Sequence, residues 1–89
     1  MKSIKKICSI KPYQLTLEFD DNEIKLVDLE TNFKEWSKSN NSKFRELLNP
    51  LEFNKVKLNQ EIESIYWDNG IDLCPDVLYS IGKNIEQKN

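Results

Sequence analysis

Histidine is absent from this chain of 89 residues. Without it there is no Ser-His-Asp or Cys-His relay and no side chain that ordinarily titrates near neutrality. Glycine occurs only at Gly70 and Gly82, so no glycine-rich loop exists to cradle a phosphate. Cysteine occurs only at Cys8 and Cys74, far apart in sequence. Two such cysteines without histidine make a poor zinc site, and in a reducing compartment they are expected as free thiols. No apolar run follows Met1-Lys2, and none approaches the roughly 18 residues of a membrane span. The expectation is a cytoplasmic protein with neither signal peptide nor membrane segment. A strong charge of either sign is also missing: 13 Lys and Arg stand against 15 Asp and Glu, a net of −2. That balance does not favour sequence-independent binding to nucleic acid, which needs a basic face.

What is present describes a small folded domain. Apolar residues make up 38% and aromatic residues 10%, enough to argue against disorder despite 31% charged residues. The length predicts a single domain over residues 1–89 with a modest core. Lys2, Lys5, Lys6 and Lys11 cluster near the start. They read as a solvated edge strand that discourages aggregation, or alternatively as a nucleic-acid patch.

"YQLTLEF" alternates strictly: Tyr13, Leu15, Leu17 and Phe19 share one parity, the pattern of a strand with one face buried. "DDNE" then predicts a tight turn, because Asp and Asn tolerate left-handed backbone. In the next strand Ile24 and Leu26 continue one face while Val27 and Leu29 sit on the other. The first strand, "SIKKICSIK", has broken parity between Ile4, Cys8, Ile10 and Ile7, which predicts a bulge or a late start. Thr31 or Asn32 is expected to cap a helix carrying Phe33 and Trp36. "SKSNNSK" is poor helix material. A second short helix with Phe44, Leu47 and Leu48 should follow it and end at Asn49-Pro50, with one further turn over "LEF". "VKL" and "EIESIYW" read as two more strands around "NQ", with Ile65 and Trp67 on one face and Ile62 and Tyr66 on the other. Pro75 suits the first turn of a final helix with Val77, Leu78, Ile81 and Ile85 on its apolar stripe. The fold class expected is α+β: a small antiparallel sheet, three strands and then two, with short helices packed on one side and a C-terminal helix. The tail over 83–89 is expected to fray.

Asp68, Asp72 and Asp76 fall four apart. On one continuous helix they would stack on one face, but Gly70 and Pro75 interrupt any such helix. Each also has a structural job: Asp68 in a turn, Asp72 bonding loop N–H groups or capping the helix, Asp76 in its first turn. Cys74 reads as a small, partly buried hydrophobe, and Trp67 as a core aromatic at a strand end.

"KPYQLTLEFDDNEIKLVDL", "FRELLNPLEFNKVKL" and "IYWDNGIDLCPDVLY", in that order, resemble a small bacterial family known as domain of unknown function 2442. The resemblance spans about residues 7–79. Trp67, Gly70, Asp72, Leu73, Pro75, Leu78 and Tyr79 match its closing pattern "W..G.Dl.p..LY", and Asn22 stands where the family usually has Gly. The resemblance carries no catalytic residues over. Some members bear a helix-turn-helix after this domain, for which the chain beyond Tyr79 leaves no room. Some lie beside another small protein in toxin–antitoxin-like arrangements. The expectation is therefore a non-enzymatic interaction module with a protein partner or a second copy of itself. Catalytic, cofactor and metal residues are expected to be none, the signature residues are structural, and no small molecule is implied. An exposed sheet edge would serve as partner surface. The alternatives are nucleic-acid binding through the N-terminal lysines and, behind it, a divalent-ion enzyme using Asp68, Asp72 and Asp76.

Overall fold

The computed structural model describes residues 2–39 and 41–85. Strands β1 (Ile4–Lys11), β2 (Gln14–Phe19) and β3 (Ile24–Asp28) open the chain. Helix α1 (Glu30–Trp36), a 3-10 helix (Lys43–Leu48) and α2 (Pro50–Phe53) follow. Then come β4 (Lys57–Asn59), β5 (Ser64–Tyr66), β6 (Asp72–Leu73), α3 (Pro75–Ile81) and β7 (Lys83–Asn84). All strand pairings are antiparallel, and the class is α+β. The two predicted groups of strands form two sheets rather than one: β1-β2-β3-β7 and β4-β5-β6.

The alternation of β2 places Leu15, Leu17 and Phe19 fully inside. Their partners across β1 are Ile10, Ile7 and Ile4, spaced by three where β2 is spaced by two. The two register shifts between Ile4 and Lys6 and between Ile7 and Ser9 absorb the extra residues. Each shift reverses the parity of the residues after it, which is why the isoleucines alternate odd and even yet lie opposite one apolar face. In β3 the register is continuous, and it is Val27 that opposes Leu15. Val27 and Leu29 are buried whereas Leu26 is exposed, so the face carrying Val27 is the core face. The β2–β3 turn holds Asn22 at φ 70, the left-handed backbone the turn chemistry anticipates.

Several expectations fail locally. Helix α1 begins at Glu30, ahead of Thr31 and Asn32, and neither caps it. Asp28 does the work instead, its Oδ1 accepting the Glu30 N–H at 3.0 Å. Asp28 already lies where β3 ends, so its short carboxylate reaches the first free amide of the helix. Ile62 is not on a strand but exposed in the β4–β5 turn. Residues 83–84 are not frayed: Lys83 and Asn84 pair with Leu26 and Lys25 as β7. The remainder of the predicted frayed tail, 86–89, lies outside the described residues. Two two-residue strands, β6 and β7, are too short for periodicity to announce.

One apolar cluster spans both sheets, from Ile4 and Leu15 through Phe33 and Phe53 to Ile65, Trp67 and Leu78. Phe33 is its hub, with ring centroids 5.7 Å from Phe53, 5.8 Å from Trp67 and 5.3 Å from Phe44. Among the described residues no buried side-chain nitrogen or oxygen lacks a hydrogen-bond partner.

Candidate functional site

The closing segment begins as β5 leaves the core. Trp67 is 2% exposed, and its Nε1–H donates to the Phe53 carbonyl at 2.9 Å, tying β5 to α2. The chain then turns. Gly70 takes φ 97, a backbone that side chains disfavour, and its N–H returns to the Trp67 carbonyl while Trp67 N–H donates to Ile71. Asn69 pins the corner to the 3-10 helix. Its Nδ2 donates to the Lys43 carbonyl and to Glu46 Oε1, and Lys43 Nζ donates to the Asn69 carbonyl. Leu73 re-enters the core, Pro75 opens α3 at its first turn, and Leu78 is fully buried.

The three aspartates go separate ways. Asp68 receives Lys57 Nζ on both oxygens, at 3.1 and 3.0 Å, and that partner raises the lysine's pKa. Asp72 lies exposed on β6, opposite Tyr66. It does not cap α3, whose N-cap is Cys74 without a side-chain bond. The strand carries Asp72 on the face opposite Leu73, which turns it away from the helix start. Asp76 Oδ1 accepts the Lys2 backbone N–H at 2.7 Å. Among the described residues no group of three or more His, Cys, Asp or Glu is placed to hold a metal ion.

Tyr79 closes the segment over sheet β1-β2-β3-β7. Its ring stands edge-on to Phe19 at 5.0 Å, and its hydroxyl donates to Asp21 Oδ2 at 2.7 Å. Lys2 Nζ reaches the same carboxylate oxygen at 3.0 Å, and Lys25 Nζ sits 3.6 Å from the ring centroid. The Tyr79 hydroxyl, then the Glu23 amide and the Lys2 ammonium, hold the Asp21 carboxyl down at about 2. The same bond to Asp21 raises the Tyr79 pKa above its ordinary value. This cluster is a clasp between the N-terminus, the β2–β3 turn and α3.

Among the N-terminal lysines, Lys6 and Lys11 are exposed and in no ion pair among the described residues, whereas Lys2 and Lys5 have partners. Lys2 is paired with Asp21, and Lys5 Nζ lies 3.6 Å from Glu18 and 3.1 Å from Asn22 Oδ1. Both cysteines are free and exposed, so Cys74 is not the partly buried hydrophobe expected of it. Its place before Pro75, at the lip where β6 passes into α3, keeps it outside the core.

That lip borders a cleft. Trp36, Phe44, Leu73, Cys74 and Val77 line an open hollow of about 290 Å³ with almost no polar surface. Trp36 and Phe44 stand 5.1 Å apart, and Val77 is 43% exposed. Trp36 and Phe44 come from the end of α1 and the start of the 3-10 helix; the other three come from the closing segment. Reading the sequence as a core pattern missed this site, because apolar helix positions look alike whether or not a neighbour covers them. The one available sign was Trp36 directly before the polar run "SKSNNSK". A second hollow of about 270 Å³ lies where β1 meets the β4–β5 turn, between Ile4, Lys5, Leu58, Gln60 and Glu63.

Two antiparallel sheets wrapped around one aromatic core, with an apolar cleft beside the closing corner, define a small α+β domain. The chain belongs to the family described as Protein of unknown function (DUF2442), whose model matches residues 4–84. No curated protein and no solved structure matches it. No helix among the described residues is long and apolar enough to cross a membrane.

Proposed function

We propose that this domain is a non-enzymatic interaction module that binds a protein partner through the cleft between Trp36, Phe44, Leu73, Cys74 and Val77. The observation that carries the reading is the character of that lining. Partly exposed aromatic rings around a dry hollow are the form of an anchor site for a partner's apolar side chain. A small-molecule or catalytic pocket needs convergent polar groups as well, and this lining offers only the Cys74 thiol, with no second polar side chain. The resemblance to the family implies a neighbouring small protein as the partner, in a toxin–antitoxin-like pair.

The edge of β1 supports the role less well. It is open on its outer side, but two register shifts break its ladder and Lys6 and Lys11 project from it. Ile4 N–H is already taken by the Glu63 carbonyl. Such devices discourage strand addition. The test is co-purification from the native host with wild type, Trp36→Ala and Val77→Glu at matched folded concentration. Wild type is expected to retain a stoichiometric partner that both variants lose. A wild type that elutes alone, or variants that keep the same partner, would count against the reading.

A further inference from the structure

Resting on that reading, we infer that the partner enters as an extended strand, which pairs with the open edge of β6 at Asp72 and sets a bulky apolar side chain into the cleft. β6 is the outermost strand of sheet β4-β5-β6. Its bonds to β5 fix which of its backbone groups face outward. Trp67 N–H donates to the Ile71 carbonyl at 2.8 Å, so Trp67 and Ile71 are a bonded pair. Antiparallel strands alternate bonded and non-bonded pairs, which makes Tyr66 and Asp72 a non-bonded pair and Ile65 and Leu73 a bonded one. The N–H and C=O of Asp72 therefore point away from β5, to the outer side of the sheet. Asp72 is exposed, and neither backbone group is in a hydrogen bond among the described residues. A donor and an acceptor on one edge residue are the groups an added strand engages. The next two residues, Leu73 and Cys74, line the cleft. In an added strand, the residue that bonds Asp72 shares the face of Asp72, and its two neighbours share the face of Leu73. Pairing at Asp72 thus delivers a neighbour's side chain to the face on which Leu73 meets the cleft.

Other occupants fit less well. A second copy that pairs β6 with β6 about a two-fold axis sets Asp72 directly opposite its counterpart, two like charges on one face. The hollow itself is far smaller than the roughly 800 Å² per partner that a stable dimer covers. The chain's own C-terminal segment is committed elsewhere, since Ile85 N–H donates to the Ile24 carbonyl on sheet β1-β2-β3-β7. A small apolar ligand without a peptide backbone leaves the Asp72 N–H and C=O unused.

The experiment titrates the isotope-labelled chain with a capped Thr-Thr-Phe-Thr-Thr peptide, with a version carrying Gly for Phe, and with versions N-methylated at one residue each. The readouts are the Trp36 indole resonance, the Asp72 amide resonance and the exchange rate of the Asp72 amide hydrogen. The parent peptide is expected to shift both resonances and to slow that exchange, and the Gly version to do neither. N-methylation of one Thr adjacent to Phe removes the donor to the Asp72 carbonyl and should weaken binding roughly three- to ten-fold, the contribution of one hydrogen bond. N-methylation of Phe, whose N–H turns away from β6, should leave binding unchanged. Asp72→Pro removes the outward N–H at an edge position, where proline is tolerated, and should weaken binding by a similar factor while melting like wild type. Asp72→Asn keeps the backbone groups and should bind as wild type does. If Asp72→Pro does not fold, the N-methyl series decides alone. Equal binding by every N-methylated peptide, or unchanged exchange of the Asp72 amide under bound peptide, would overturn the strand pairing. If the parent peptide does not bind, the inference falls. Loss of the native partner by Val77→Glu would then still uphold the cleft as an interaction site, whereas retention would remove both.

Discussion

Replacing Trp67 by alanine tests the core on which both sheets depend. The indole is 2% exposed and packs against Phe33 and Phe53 at ring-centroid distances of 5.8 and 5.7 Å. Emptying a large buried aromatic site costs about 3–5 kcal/mol. The Nε1–H bond to Phe53 is lost as well, worth about 0.5–1.5 kcal/mol net, since the Phe53 carbonyl keeps the Val56 N–H at 3.2 Å. These contributions overlap, so the expected loss is about 4–6 kcal/mol, against a total of roughly 5–15 kcal/mol for a domain. Trp67→Phe separates the two, since it keeps most of the apolar volume and forfeits the bond; about 0.5–1.5 kcal/mol is expected for the bond itself. Urea unfolding followed by far-ultraviolet circular dichroism measures both variants without relying on the removed fluorophore. An alanine variant within about 1 kcal/mol of wild type, outside the range for such cavities, would refute the account of the corner as the junction of the core.

Gly82 has an ordinary φ of −69, yet a Cβ there would lie 3.0 Å from Lys25 Cβ, 3.1 Å from Val27 Cγ2 and 3.2 Å from the Leu78 carbonyl. Gly82→Ala should therefore lower stability by about 1–3 kcal/mol in the same unfolding assay, by forcing α3 away from β3. Asp21 is held at about 2, below its ordinary value of 3.8. A depressed carboxyl contributes stability that is full above its unfolded pKa and lost as pH falls through its folded one. The advantage of wild type over Asp21→Asn should thus be constant at neutral pH and vanish between about pH 4 and pH 2 in acid titrations. With Lys2 and Lys5 turned to carboxylates of their own chain, gel shifts at low salt should show no retardation of duplex DNA. Retardation that fades as salt rises would restore the nucleic-acid alternative.

Where local chemistry decides conformation, the sequence is legible. The alternation of β2, the Asp-Asn turn with Asn22 at positive φ, Pro75 at the start of α3 and the burial of Trp67 follow from period, turn chemistry and side-chain size. A bulge in β1 was legible too, because Ile4, Ile7 and Ile10 break parity, although only the pairing showed that there are two. Other features depend on what comes near in space. Asp28 displaces Thr31 and Asn32 at the start of α1 because the end of β3 brings its carboxylate to the free amide. Residues 83–84 become a strand only because β3 offers them an edge. Asp72 loses the capping role that its sequence position invites, since β6 directs it to solvent.

By itself, then, the sequence determined the chemistry that is available and the pattern of what must be buried. Without histidine, and with glycine only at Gly70 and Gly82, the chain has no Ser-His-Asp or Cys-His relay and no glycine-rich loop, and the alternating strands and short amphipathic helices specified an α+β domain. Tertiary structure alone decided how the strands divide into two sheets, which charges cancel, and which apolar side chains remain uncovered. Periodicity reports that Trp36, Phe44 and Val77 are apolar at helical spacing. Whether such a residue is core or contact surface depends on the element that covers it, and among the described residues none covers the outer side of the cleft.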